Sequence, residues 1–242
     1  MAAEETVPPA GAAVPSAADG GQAGRSGPAG FKFFRRLFLY LLGNFVLAFG
    51  VSLAVRSELG ITAVNSVAYV TSRIYSVDHG LMTSVIYSFY ILVQVVILRR
   101  KFRIINLFQF PVTVFFGFFV SVNNRLTSFM HPEIYPLKLL LMLASIFFMG
   151  LGIMLYLAAD LIPQPADGVV LVVARKSGWK THNVKVGFDT VMVGIAALVS
   201  LAAAGRVIGL REGTLLAMLG VGKTFGFFNK FLRPAVIRLL RL

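Results

Sequence analysis

Charged side chains are scarce in this 242-residue chain, and those that fall inside its apolar stretches are the first places to look for chemistry. Asp189 lies four residues beyond Lys185 in an otherwise uncharged run, and Lys223 lies seven residues before Lys230 in the next one. A charge at the centre of a bilayer costs roughly 2.5–3.5 kcal/mol on insertion scales, so charges there pair or face a cavity. On consecutive antiparallel helices the two would sit at similar depth, which predicts an Asp189–Lys223 pair, either structural or coupled to a proton or ion. The simpler reading is that each snorkels separately to the membrane surface. Asp160 and Asp167 bracket Pro163 and Pro165. Carbonyls freed by a broken helix, with a carboxylate beside them, can hold a cation or an amine. Equally, Asp167 can cap the short helix that follows, and Asn65 can do the same in the first half of the chain.

Other chemistries find little support. Val221-Gly222-Lys223-Thr224 looks like the end of a phosphate loop, but Ala217 stands where that pattern needs Gly, and the segment lies inside an apolar run. Gly222 and Gly226 fit a small-residue face for close helix packing instead. His79, His131 and His182 are scattered without metal-ligand spacing, and there is no Cys, so neither a metal site nor a thiol is expected. No Ser, His and Asp fall near a glycine elbow. The expectation is a protein without catalytic activity and without a cofactor.

The elements that must position these residues are set by hydropathy. Hydrophobic residues make up 57% and charged residues only 14%, where a soluble domain carries roughly a quarter charged. Leu37 to Val55, Gly80 to Leu98, Ile104 to Asn124 and Leu139 to Ala159 contain no charged residue, and Val186 to Gly205 and Gly213 to Asn229 contain one each. Each is close to the ~20 residues that cross a ~30 Å hydrocarbon core. Lipid offers no partner for backbone amides, so these runs must be helices. A net charge of +13 could suggest nucleic acid, but the cations cluster at the ends of apolar runs, where anionic lipid headgroups explain them. Nucleic acid is not an expected partner. Residues 1–30, rich in Ala, Gly and Pro, form a tail expected to be disordered, and it lacks the pattern of a signal peptide. Phe31-Lys32-Phe33-Phe34-Arg35-Arg36 marks its arrival at the membrane. Trp179 reads as an interface anchor, and residues 234–242 as a basic amphipathic tail.

The chain also repeats itself. An offset of 102 residues aligns Phe45 with Phe147, Gly50 with Gly152, Leu59 with Leu161, Asn65 with Asp167, Val67 with Val169 and Arg73 with Arg175. A slightly longer offset aligns Phe116-Gly117-Phe118-Phe119 with Phe225-Gly226-Phe227-Phe228. The halves are residues 31–125 and 137–233. In each, a short polar segment follows the first span: Ile61 to Val77, and Pro163 to Gly178. If neither crosses, 15 Lys and Arg fall on one side of the membrane and 6 on the other, which agrees with the positive-inside rule and puts both termini in the cytoplasm. The expected fold is therefore all-α, with six transmembrane helices in two inverted three-helix repeats, each carrying a short non-spanning helix. Inverted repeats with interrupted segments at matching places are a construction of transporters, with substrate bound at the interruptions. Alternatively, the short segments are amphipathic helices lying in the interface.

Gly150-Leu-Gly-Ile-Met-Leu-Tyr-Leu-Ala-Ala-Asp160, then Pro165-Ala-Asp167-Gly168, Arg175-Lys176-Ser177-Gly178 and Gly209-Leu-Arg-Glu-Gly213-Thr214, resemble the YczE/YitT-type family of bacterial membrane proteins. The likeness spans about 35 to 235 and is strongest in the second half. The first half departs from the pattern, with Asn65 in place of Asp and no nearby Pro, and Ile162 stands where the family usually has Gly. The resemblance implies a multi-pass protein of the bacterial inner membrane and leaves the substrate open. The expected function is permeation of a small solute along Asn65, Asp160, Asp167, Asp189 and Lys223. The alternative is a non-transporting accessory or scaffold protein that binds another membrane component. The lipid bilayer is the expected partner, and homo-oligomerisation is left open.

Overall fold

The structure is a computed structural model and describes residues 29–99 and 107–241. Residues 1–28 of the expected tail, and Arg100, Lys101 and Arg103 of the basic cluster, lie outside the described residues. Every described element is helical. Four helices among the described residues are long and apolar enough to cross a membrane: α1 (Ala29–Ser57), α3 (His79–Leu98), α5 (Tyr135–Ala158) and α7 (Thr181–Ala204). The other two predicted spans form α4 (Gln109–Leu126) and α8 (Glu212–Phe231). Both are less apolar, α4 through Gln109, Asn123, Asn124 and Arg125, α8 through Glu212, Lys223, Asn229 and Lys230. The short segments form α2 (Ala63–Ile74) and α6 (Pro165–Ser177), and the basic tail forms α9 (Arg233–Arg241).

Element boundaries follow the 102-residue offset. Thr62 and Gln164 are the N-caps of α2 and α6, with nearly equal backbone angles (φ −61°, ψ 147° and φ −62°, ψ 150°). α3 and α7 start at His79 and Thr181, after N-caps Asp78 and Lys180 that share ψ 132°. Glu58 and Asp160 both leave their preceding helix in the left-handed region, at φ 56° and 52°. A non-glycine residue rarely sits there, so its recurrence at matching places marks the same local construction.

α1 and α5 form the central pair, and glycine lets their backbones meet. A Cβ on Gly43 would stand 2.4 Å from the Tyr156 backbone nitrogen, and one on Gly152 would stand 2.5 Å from that of Leu47. α4 packs on α1 and α8 on α5; α2 packs on α7 and α3, and α6 on α3 and α7. At one end of the bundle, the far end, Arg56 at the end of α1 donates to the Asn124 carbonyl of α4 at 2.7 Å. There too, Ser121 of α4 donates to Asp78 ahead of α3, and Lys138 of α5 meets Glu58 at 2.6 Å. The start of α1 and α9 lie at the near end, where Val236 of α9 packs on Met154, Ala158 and Phe228.

The short helices do not lie on the surface. After α1, the chain runs in extended form past the α7–α8 loop, held by Ile61 N–H to the Gly209 carbonyl (3.1 Å) and Gly213 N–H to the Leu59 carbonyl (2.9 Å). α2 then begins beside the middles of α3 and α7, where Tyr90 donates to the Val64 carbonyl and Ser66 to the Met192 carbonyl, both at 3.3 Å. At ~1.5 Å per residue, its 12 residues span about 18 Å, short of the ~30 Å of a full crossing. α3 starts from the far end again, so the first interruption enters and leaves by one end. After α5 the chain turns in from the near end: Tyr40 of α1 donates to the Ile162 carbonyl at 2.8 Å. α6 begins against Gln94 of α3, and the chain returns to where α7 begins. Seven residues of α2 and six of α6 are buried, so both short helices pack against the bundle.

Candidate functional site

The two interrupted segments bring polar side chains into a core that is otherwise apolar. Asn65 and Asp167 occupy the third position of α2 and α6, three residues past the N-cap position. The capping roles expected of them are therefore wrong: neither helix has a side-chain cap, because Thr62 and Gln164 hold the cap positions. Each instead reaches across to a tyrosine. The Tyr87 hydroxyl donates to Asn65 Oδ1 at 3.1 Å, while Asn65 Nδ2 turns back to Thr62 Oγ1 at 3.0 Å. The Tyr156 hydroxyl donates to Asp167 Oδ2 at 2.5 Å. Tyr87 and Tyr156 are both about 2% exposed and belong to one core cluster with Tyr40 and Tyr90. Tyr40 meets Tyr156 edge-on and Tyr87 lies beside Tyr90, with ring centroids 6.2 and 5.6 Å apart.

The second interruption is fixed by amide side chains. Gln164 Nε2 donates to Asn44 Oδ1 at 2.8 Å, and Gln94 Nε2 reaches both Gln109 Oε1 (2.9 Å) and the Pro165 carbonyl (3.0 Å). Gln94 gets that close because Gly168 has no side chain: a Cβ there would stand 2.6 Å from Gln94 Oε1. Buried amides are costly unless bonded, and this chain of partners satisfies them. A hydrogen-bonded cluster of tyrosines, amides and one partly buried carboxylate can coordinate a polar or cationic solute, or relay a proton. Among the described residues, no group of three or more His, Cys, Asp and Glu could hold a metal ion.

Of the five residues proposed from sequence, three belong here. Asn65 and Asp167 are in the cluster, and Asp189 lies at its edge, paired with Lys185 one turn away at 2.6 Å. The Asp189–Lys223 pair does not form. α7 packs on α2 while α8 packs on α5, so helices consecutive in sequence are not neighbours, and Lys223 is exposed with no ion pair among the described residues. Asp160 is exposed beside the break and joins nothing in the cluster. Gly222 and Gly226 also face open space instead of a packed helix.

Sequence reasoning overlooked Tyr40, Asn44, Tyr87, Gln94, Gln109 and Tyr156. Their signal was present: all six are polar or amphipathic groups within uncharged runs of membrane-crossing length, and such groups turn inward.

A helical integral membrane protein with buried interruptions and a tyrosine-lined polar centre is the class that this fold and site define. The chain belongs to a family of unknown function, DUF6198, which matches residues 34–230 and so runs from Phe34 within α1 through all but the last residue of α8. Neither the curated proteins nor the solved structures contain a match to it.

Proposed function

We propose that the protein is a six-span permease for a small polar solute, built as two inverted halves and residing in a bacterial inner membrane with both termini in the cytoplasm. The observation that carries this reading is the meeting of two interruptions, entering from opposite ends, at one buried tyrosine cluster through Asn65 and Asp167. Interrupted helices whose half-helix N-termini point at the bilayer centre are how transporters hold substrate. The offset-matched caps support the repeat, since such agreement follows from two copies of one unit. Kinship with YczE/YitT-type proteins is proposed on the same residues, Pro165-Ala-Asp167-Gly168 foremost. In this reading the protein performs no covalent chemistry.

The native chain has no Cys, so single cysteines test the topology directly. Ser76→Cys, after α2, should react with an impermeant maleimide from outside the cell. Ser177→Cys, ending α6, should react only from the cytoplasmic side. Labelling of both from one side refutes the inversion. Flux is tested in proteoliposomes against a panel of small polar solutes. Asp167→Asn and Tyr156→Phe should each cut the rate for the transported solute by about tenfold or more, as expected when a charge-assisted bond worth roughly 1.5–3 kcal/mol is lost.

A second reading, an accessory protein that binds another membrane component or a second copy of itself, draws on one observation. α7 and α8 present Leu198, Leu201, Leu219 and Phe227 outward around glycines that meet nothing. A stable co-purifying partner together with absence of flux would favour it.

A further inference from the structure

At the far end, the first interruption and the α7–α8 loop enclose a cavity of about 480 Å³. Arg73, Arg206 and Arg211 line it, together with Glu58, Tyr69 and the backbone of Gly60 and Gly209. Six Lys and Arg are assigned to this end by the charge count, and half of them converge on one cavity. In the six-span reading this is the outer side, where cations are scarce, so their gathering calls for a cause.

Arg211 has a carboxylate partner, whereas Arg73 and Arg206 have none among the described residues. Glu58 is engaged by Lys138 of α5 at 2.6 Å, and Glu212 by Arg211 at 3.2 Å. Arg73 spends only its Nε on the Tyr69 hydroxyl (3.2 Å), with its guanidinium 5.5 Å from that ring's centre. Arg206 makes no side-chain hydrogen bond or ion pair among the described residues. Two guanidinium groups therefore keep free N–H donors at the rim of a cavity large enough for a small molecule. Planar guanidinium forks match carboxylate and phosphate oxygens, and a strongly hydrated point charge such as Lys would serve less well.

We propose that this cavity binds an anionic group of the phosphate or carboxylate kind, held chiefly by Arg73 and Arg206, whether or not solute crosses the bundle. The anion comes either from a soluble molecule or from a lipid headgroup of the outer leaflet. Arg211 is placed differently: it caps α8, donates to the Glu58 carbonyl at 3.4 Å and shapes the cavity more than it charges it.

The test is calorimetry on the full chain in phosphatidylcholine nanodiscs, titrated with inorganic phosphate and separately with short-chain phosphatidylglycerol. One of the two should bind, with Arg206→Gln and Arg73→Gln each weakening it by about tenfold, the loss of a charge-assisted hydrogen bond. Arg125→Gln, an exposed arginine at the same end outside the cavity, should leave it unchanged. Saturable phosphate binding identifies a soluble anion, and binding of the glycerolipid alone identifies a headgroup. Absence of binding by both, or equal affinity in all three variants, overturns the proposal. The Arg206 side chain bonds to nothing among the described residues, and its carbonyl keeps the bond from Ser200 Oγ after substitution. Arg206→Gln should therefore leave thermal unfolding unaltered, so a loss of binding there cannot be ascribed to misfolding.

Discussion

The two interruptions solve one problem by different means. The first, from Glu58 to Thr62, is held by backbone: Ile61 N–H and Gly213 N–H close a short ladder with the carbonyls of Gly209 and Leu59. The second, from Asp160 to Gln164, is held by side chains from α1, with Tyr40 on the Ile162 carbonyl and Asn44 on Gln164, and Gln94 of α3 takes the Pro165 carbonyl just beyond it. Proline explains part of the difference. Pro163 and Pro165 have no N–H to contribute to a ladder, so carbonyls are left over and must be met by donors from neighbouring helices. Backbone latching tolerates substitution, whereas side-chain latching ties the break to particular residues. The half with the carboxylate, Asp167, is the half whose geometry depends on named side chains.

That contrast can be broken most severely at Gln94. Gln94→Ala removes one amide and leaves both the Gln109 amide and the Pro165 carbonyl buried without it. Each unsatisfied buried group costs roughly 1–3 kcal/mol, so thermal unfolding in detergent should show a loss of about 2–5 kcal/mol. Asn44→Ala should cost less, about 1–3 kcal/mol, since only the Gln164 amide loses a side-chain partner. A double-mutant cycle over Asn44 and Gln164 should return a coupling of about 0.5–3 kcal/mol, and a value near zero would mean the second break is not held as described. In the first break, Thr62→Ala should cost about 1 kcal/mol, because Asn65 Nδ2 loses the Thr62 Oγ1 it donates to while the backbone ladder survives the change.

Much of this was legible beforehand, for physical reasons that differ by element. Lipid forces helix on any long apolar run, so α1, α3, α5 and α7 follow from composition alone. The breaks show because Pro163, Pro165, Gly60 and the polar residues around them interrupt that composition. Asp167 and Asn65 were found as polar groups at the breaks, but their roles were not, since the cap and the third helical residue lie within one turn and the sequence alone does not say where the helix starts. The Asp189–Lys223 pairing failed because adjacency in sequence was taken for adjacency in space. α7 is drawn away from α8 by the short helices, a rearrangement that no local pattern encodes. The tyrosines were hidden by their own chemistry: a ring that suits an apolar core conceals the hydroxyl that makes the core polar. In the far-end cavity Arg73 stands more than 130 positions from Arg206 and Arg211, and only the docking of the first break on the α7–α8 loop brings them together.

The smallest expected effect lies where the first break touches α5. Hydrogen bonding to Lys138, and secondarily the charges of Lys138, Arg73 and Arg211, hold the Glu58 carboxyl below its ordinary value of 4.5. A carboxylate whose folded pKa is depressed contributes stability that is complete above the unfolded pKa and is lost as pH falls through the folded one. Glu58 is largely exposed, so solvent screens the pair and its worth is at most about 1 kcal/mol. Unfolding midpoints should therefore be flat between neutral pH and about 5 as far as this pair is concerned, and decline below that. Glu58→Gln should remove the acid-side decline attributable to the pair while leaving the Ile61–Gly209 and Leu59–Gly213 bonds in place. If Glu58→Gln instead destabilised the protein as strongly as Asn44→Ala at neutral pH, the first break would be side-chain-latched after all. The asymmetry between the two interruptions would then disappear.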